Sequence, residues 1–140
     1  MSGENCTLQL VAEINRLPDV KAFIDEKLDA VGCSKKTKMN INLCVEEIYT
    51  NVCSYAYAPN TGDVTIEAWF NENKDIIYIK FVDMGVPYNP LSREDPDIEA
   101  KAEDRLIGGL GIFMTKKLMD NMSYEYVDNS NVLTLEKNLK

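Results

Sequence analysis

The feature that most limits how this chain can fold is a pair of alternating runs, Asp63–Phe70 and Ile76–Val82, separated only by the polar stretch Asn71–Asp75. In the first run Val64, Ile66, Ala68 and Phe70 recur at every second position, which gives a strand one apolar face. A short polar stretch between two such runs is a hairpin turn, so the chain must carry an antiparallel sheet with one face to bury. Cys6 to Ile14 also alternates and is predicted to be a strand. Pro18 opens a helix whose Val20, Phe23, Ile24, Leu28 and Val31 fall at helical spacing, and Gly32 stops it. A second helix is predicted from Ser34 to Tyr57, before Pro59, with Ile41, Val45, Ile48, Val52 and Tyr55 as its core stripe. After Gly111 the sequence predicts a short helix, Ile112–Met119. A closing hairpin follows, Ser123–Val127 and Val132–Lys137, turning at Asp128–Asn131. Helices covering one face of a mostly antiparallel sheet make an α/β two-layer sandwich, and 140 residues suit one domain, 1–140.

Charge and composition narrow the ligands. Fifteen Lys and Arg against 23 Asp and Glu leave a net charge of −8, which argues against nucleic acid or an anionic membrane as a partner. An anionic ligand would need a metal, a helix N-terminus or backbone N–H groups to receive it. The absence of histidine removes His-based triads, His-based zinc sites and phosphohistidine chemistry within this chain. The four cysteines show no metal-ligand spacing and read as reduced thiols. The first residues lack the basic start and apolar run of a signal peptide, and no apolar stretch approaches the ~20 residues that cross a bilayer. The expected location is the cytoplasm.

Three segments carry candidate chemistry. On the second helix Asn40, Cys44, Glu47, Asn51 and Ser54 form a small, polar stripe beside the apolar one. Glu47 and Asn51 stand one turn apart and can converge on a hard cation such as Mg²⁺, which takes oxygen ligands and keeps waters and phosphates. Glu46 points about 100° away. The plainer reading is a polar pair on a wet helix face. Next, Asp83 closes a strand before Met84 and Gly85, where a carboxylate could accept a hydrogen bond from an exocyclic amine such as adenine's. Gly85 could let backbone approach a flat ring, although Asp and Gly also end strands in ordinary turns. Finally Gly108-Gly109-Leu110-Gly111 leads into a helix, whose N–H groups and dipole favour phosphate; the plainer reading is a hinge. This is neither a P-loop nor a Rossmann loop, since Gly-Lys-Ser/Thr and a preceding strand are both missing. The irregular acidic stretch before it, 89–107, reads as a lid, with a short helix around Ile98–Ala102.

In order and spacing, Glu47-x3-Asn51, Asp83-x-Gly85 and Gly108-Gly109-Leu110-Gly111 resemble the GHKL nucleotide-binding superfamily, or Bergerat fold, over nearly the whole chain. Asp83 to Pro90, Gly108 to Phe113 and Asn131 to Leu135 look most like its small anti-sigma factor serine/threonine kinases. The resemblance implies ATP and Mg²⁺ as cofactors, Asn51 as metal ligand, Glu47 as general base and Asp83 as the adenine-reading carboxylate, with Gly85 under the base. Gly109 and Gly111 match the phosphate-proximal glycines, and Thr134 matches a threonine that helps hold adenine through water. Pro87 replaces the last glycine of the commoner motif, Tyr55 stands where many relatives have histidine, and Leu106 where proline often precedes Ile-Gly-Gly. The implied partners are a sigma factor and an anti-sigma antagonist protein as substrate, with a homodimer through the sheet edge. A regulatory module that binds nucleotide without kinase activity, or a stand-alone ATPase, would use the same residues.

Overall fold

The period-two runs do pair as a sheet. The computed structural model describes residues 6–92 and 109–140. Five strands, β1 (Thr7–Val11), β2 (Asp63–Phe70), β3 (Ile76–Asp83), β4 (Asn121–Val127) and β5 (Ser130–Asn138), lie in the order β1-β2-β3-β5-β4. Every neighbouring pair is antiparallel. Three helices, α1 (Leu17–Val31), α2 (Lys35–Asn51) and α3 (Gly109–Leu118), complete the two layers. No described helix is long and apolar enough to cross a membrane.

The helix ends follow their sequence signals. Pro18 sits in the first turn of α1, and Gly32 closes it at φ 67°, a left-handed conformation that costs glycine little. Ser34 caps α2 by accepting the Thr37 N–H at 3.1 Å. One core joins the layers: Val20, Ile24 and Leu28 of α1, Ile41, Val45 and Ile48 of α2, and the inward residues Val64, Ile66, Ile77, Ile79, Phe81 and Leu135. Tyr49 is fully buried, and its hydroxyl ties α2 to the end of β1 by donating to the Glu13 carbonyl at 2.6 Å.

Three boundaries differ from expectation, and each difference bears on function. The second helix is α only to Asn51; Val52–Ala56 continue as a π-turn. A π-turn inserts a residue into the helical register and is frequent at functional sites. Tyr55, expected in the core, is therefore turned out to 40% exposure. The last hairpin turns on two residues, Asp128 and Asn129, both at positive φ (54° and 63°), so Asn131 lies within β5 and not in the turn. Gly109 and Gly111 belong to the first turn of α3, where a loop was expected. Gly108, the predicted helix around Ile98–Ala102 and the lid from residue 93 onward lie outside the described residues.

Candidate functional site

Period two along β3 sends Ile77, Ile79 and Phe81 to the helix side, and Asp83, next in that series, follows them into a buried position. Across the sheet it faces Asn131. Asp83 Oδ1 accepts two hydrogen bonds, from the Gly85 N–H at 2.9 Å and from Asn131 Nδ2 at 2.9 Å. Among the described residues no bond falls on Oδ2. A carboxylate with one oxygen fixed twice and the other unclaimed is an acceptor set up for a donor group on a ligand. Asp83 lines a cavity of about 40 Å³. Its apolar walls include Ile48, Phe81, Ile112 and Leu133, its polar groups are Asn51, Asp83 and Asn131, and Tyr55, Tyr88 and Tyr124 also line it. The Tyr55 and Tyr88 rings meet at 5.7 Å between centroids. Pockets for small ligands measure roughly 300–1,000 Å³, so a nucleotide base would have to part these walls.

Asn51 ends α2 at the inner edge of this cavity, 7% exposed. Its Nδ2 donates to the Glu47 carbonyl at 2.8 Å, which aims the amide, while Oδ1 is buried without a hydrogen-bond partner among the described residues. A buried acceptor left unmade costs about 1–3 kcal/mol, and a cation would relieve it. The described residues hold no cluster of three or more His, Cys, Asp or Glu able to cage a metal. That donor set fits Mg²⁺, which is typically held by one or two protein oxygens with phosphates and waters completing the octahedron.

One turn earlier on α2, Glu47 and Glu46 go separate ways. Glu46 pairs with Lys21 of α1 at 2.7 Å. Glu47 makes no ion pair among the described residues and lies against the start of α3, where a methyl group at Gly111 would overlap its Oε2. The same seam runs one turn back, where the Cys44 thiol meets Thr115. Burial, and then the neighbouring Glu46 charge, raise the Glu47 pKa above the ordinary carboxylate value. Gly111 falls in the first turn of α3, whose N–H groups have no intrahelical acceptor, and its contact with Glu47 brings that turn beside the carboxylate. The arrangement therefore joins an unclaimed carboxylate oxygen, a buried amide oxygen without a partner among the described residues, the N-terminal turn of a helix and a carboxylate of raised basicity.

One sequence-based role, that of Thr134, needs correction, and Gly85 has a packing reason of its own. A Cβ at Gly85 would overlap the Ala56 carbonyl, which also accepts the Val86 N–H at 2.9 Å. Its bareness lets the loop after β3 dock on the π-turn. Gly85→Ala is accordingly expected to lower stability by about 1–3 kcal/mol, the usual range for forcing extra atoms into packed surroundings. A thermal melt indistinguishable from wild type would contradict this packing role. Thr134 does not join the cavity. It pairs with Lys80 and Ser123 and alternates with the buried Leu133 and Leu135, so it faces the other side of the sheet. Asn131, three residues earlier, lines the cavity instead. Its signal was present, since reading Asp128-Asn129 as a two-residue turn puts Asn131 on the inward series with Leu133 and Leu135.

Residues 10–137 match the histidine kinase-like ATPase domain, and the chain belongs to that family. It is 24% identical over 135 residues to the serine/threonine-protein kinase BtrW of Bordetella bronchiseptica, covering 96% of this chain and 94% of that one. It is 25% identical to the serine-protein kinase RsbW of Listeria monocytogenes, covering 93% and 85% respectively. Its fold is similar to the RsbU and RsbW domains of a Mycobacterium tuberculosis protein, with a TM-score of 0.64 and 16% identity. That match covers 95% of this chain and 32% of the other, so this chain spans about a third of it. The structure of the SiaB–SiaC complex from Pseudomonas aeruginosa is also similar, with a TM-score of 0.55 and 14% identity over 93% of this chain.

Proposed function

We propose that the chain is an ATP-dependent protein serine/threonine kinase of the anti-sigma type. The observation that carries this reading is the buried, unpartnered Asn51 Oδ1, one turn from a Glu47 carboxylate that lies against the N-terminus of α3. Asp83 Oδ2 would accept a hydrogen bond from the adenine amine, and the first N–H groups of α3 would face the phosphates. Asn51 Oδ1 would hold Mg²⁺, which when bound supplies positive charge to the phosphates. The acidic lid sequence makes that charge necessary for tight binding. Glu47 would take the proton from an incoming serine hydroxyl while the serine oxygen bonds to the γ-phosphorus and the bond to ADP breaks. Burial raises the basicity of Glu47 and so favours that transfer.

Similarity to relatives named serine-protein kinases supports a protein hydroxyl as acceptor. The acceptor in this reading is an anti-sigma antagonist protein, the second partner is a sigma factor, and the chain acts as a homodimer. Incubation with radiolabelled ATP and candidate antagonist proteins tests it. Label on a serine of the antagonist is the expected result. Free phosphate with no acceptor present would mean an ATPase, and nucleotide binding without either product would mean a binding module.

A further inference from the structure

Asn131 is heavily hydrogen-bonded at the cavity wall, and no role falls to it in the reaction above. Its Nδ2 donates to Asp83 Oδ1 at 2.9 Å and to the Val86 carbonyl at 2.8 Å. Its Oδ1 accepts the Tyr88 N–H at 3.0 Å and a short bond from the Tyr124 hydroxyl. Four bonds saturate a primary amide. They join β5 to the end of β3, to both ends of the Val86–Tyr88 segment and to β4, with Asn131 itself 6% exposed.

We infer that Asn131 is a positioning residue that sets base selectivity by fixing the plane of the Asp83 carboxylate and so where its unclaimed oxygen meets the ligand. The inference rests on the nucleotide reading of this cavity. An aspartate turns about its last side-chain bond at little cost, because that torsion is broad. Asn131 and the Gly85 N–H together hold one carboxylate oxygen, so the carboxylate plane is fixed and its other oxygen is held at one point toward the ligand. An acceptor held at one point discriminates a 6-amino purine from a 6-oxo purine, which offers oxygen at that position. Without the clamp, Asp83 and the Val86–Tyr88 backbone could rearrange to meet either edge. The phosphate end of the site, on α3, would be untouched.

The test compares ADP with inosine diphosphate, whose base carries oxygen in place of the amine at C6 and a proton on N1, by calorimetry on the full chain with Mg²⁺. The wild-type chain should prefer ADP by about tenfold to a hundredfold, the range of a hydrogen bond to a charged group. Asn131→Ala should bring that ratio close to one while inosine diphosphate affinity stays within about threefold, as befits an unchanged phosphate site. Should Asn131→Ala fail to fold, Tyr124→Phe removes one of the four bonds and should lower the ratio about two- to fivefold. A variant that weakens both nucleotides equally, with the ratio intact, would show a merely structural role and overturn the inference alone. A wild-type chain that binds neither nucleotide would overturn the reading of the cavity, and the inference with it.

Discussion

Glu47→Gln is expected to bind Mg-ATP nearly as the wild-type chain does and to transfer phosphate ~10²–10⁴-fold more slowly, the usual cost of losing a general base. Glutamine keeps the size of the side chain and its contact with Gly111 but cannot take a proton. The carboxylate it replaces makes no ion pair among the described residues, so little stability is lost with it. Glu46→Gln is the control. Glu46 is paired with Lys21 on a half-exposed surface, where such pairs contribute roughly 0–1 kcal/mol. Its loss should leave transfer within a few-fold of wild type. Steady-state transfer rates with a fixed acceptor protein measure both. Loss of transfer in Glu46→Gln and not in Glu47→Gln would reverse the assignment, and no change in either would remove base catalysis from the account.

Asp83→Ala is expected to weaken ATP and ADP alike by about 1.5–3 kcal/mol, through loss of a hydrogen bond to a charged acceptor. It should also destabilise the fold, because Asp83 is the acceptor for the Gly85 N–H and one of three for Asn131 Nδ2, beside the Gly85 and Val86 carbonyls. That second loss should be about 1–2 kcal/mol, since Asn131 keeps the Val86 carbonyl. Calorimetry on the folded variant, paired with a denaturant melt, separates the two effects. Unchanged ADP affinity in a folded Asp83→Ala chain would take Asp83 out of the site.

Much of this was legible in the chain itself. Alternation revealed the strands because one face of the sheet is buried, and capping residues revealed where α1 and α2 begin. Glu47 and Asn51 could be paired, and Glu46 set apart, because a helix fixes 100° per residue. What stayed hidden depended on departures from regular period. The π-turn at Val52–Ala56 moved Tyr55 from the expected core to the cavity, and no residue in that stretch announces it. The place of Asn131 depended on whether the last turn takes two residues or four, a one-face decision in a strand. Gly85 was legible as a close approach, but the neighbour it admits, the Ala56 carbonyl, comes from a segment 29 residues earlier in the chain.

The most direct measurement of the central claim is a calorimetric titration of the chain with ATP, with and without Mg²⁺, repeated on Asn51→Ala. If the buried Asn51 Oδ1 is a cation ligand, wild-type binding should be saturable at one nucleotide per chain and should tighten at least tenfold with Mg²⁺, while Asn51→Ala should lose that gain and keep its fold. ATP binding that is indifferent to Mg²⁺ in the wild-type chain, or an Asn51→Ala chain that keeps the full Mg²⁺ gain, would contradict it.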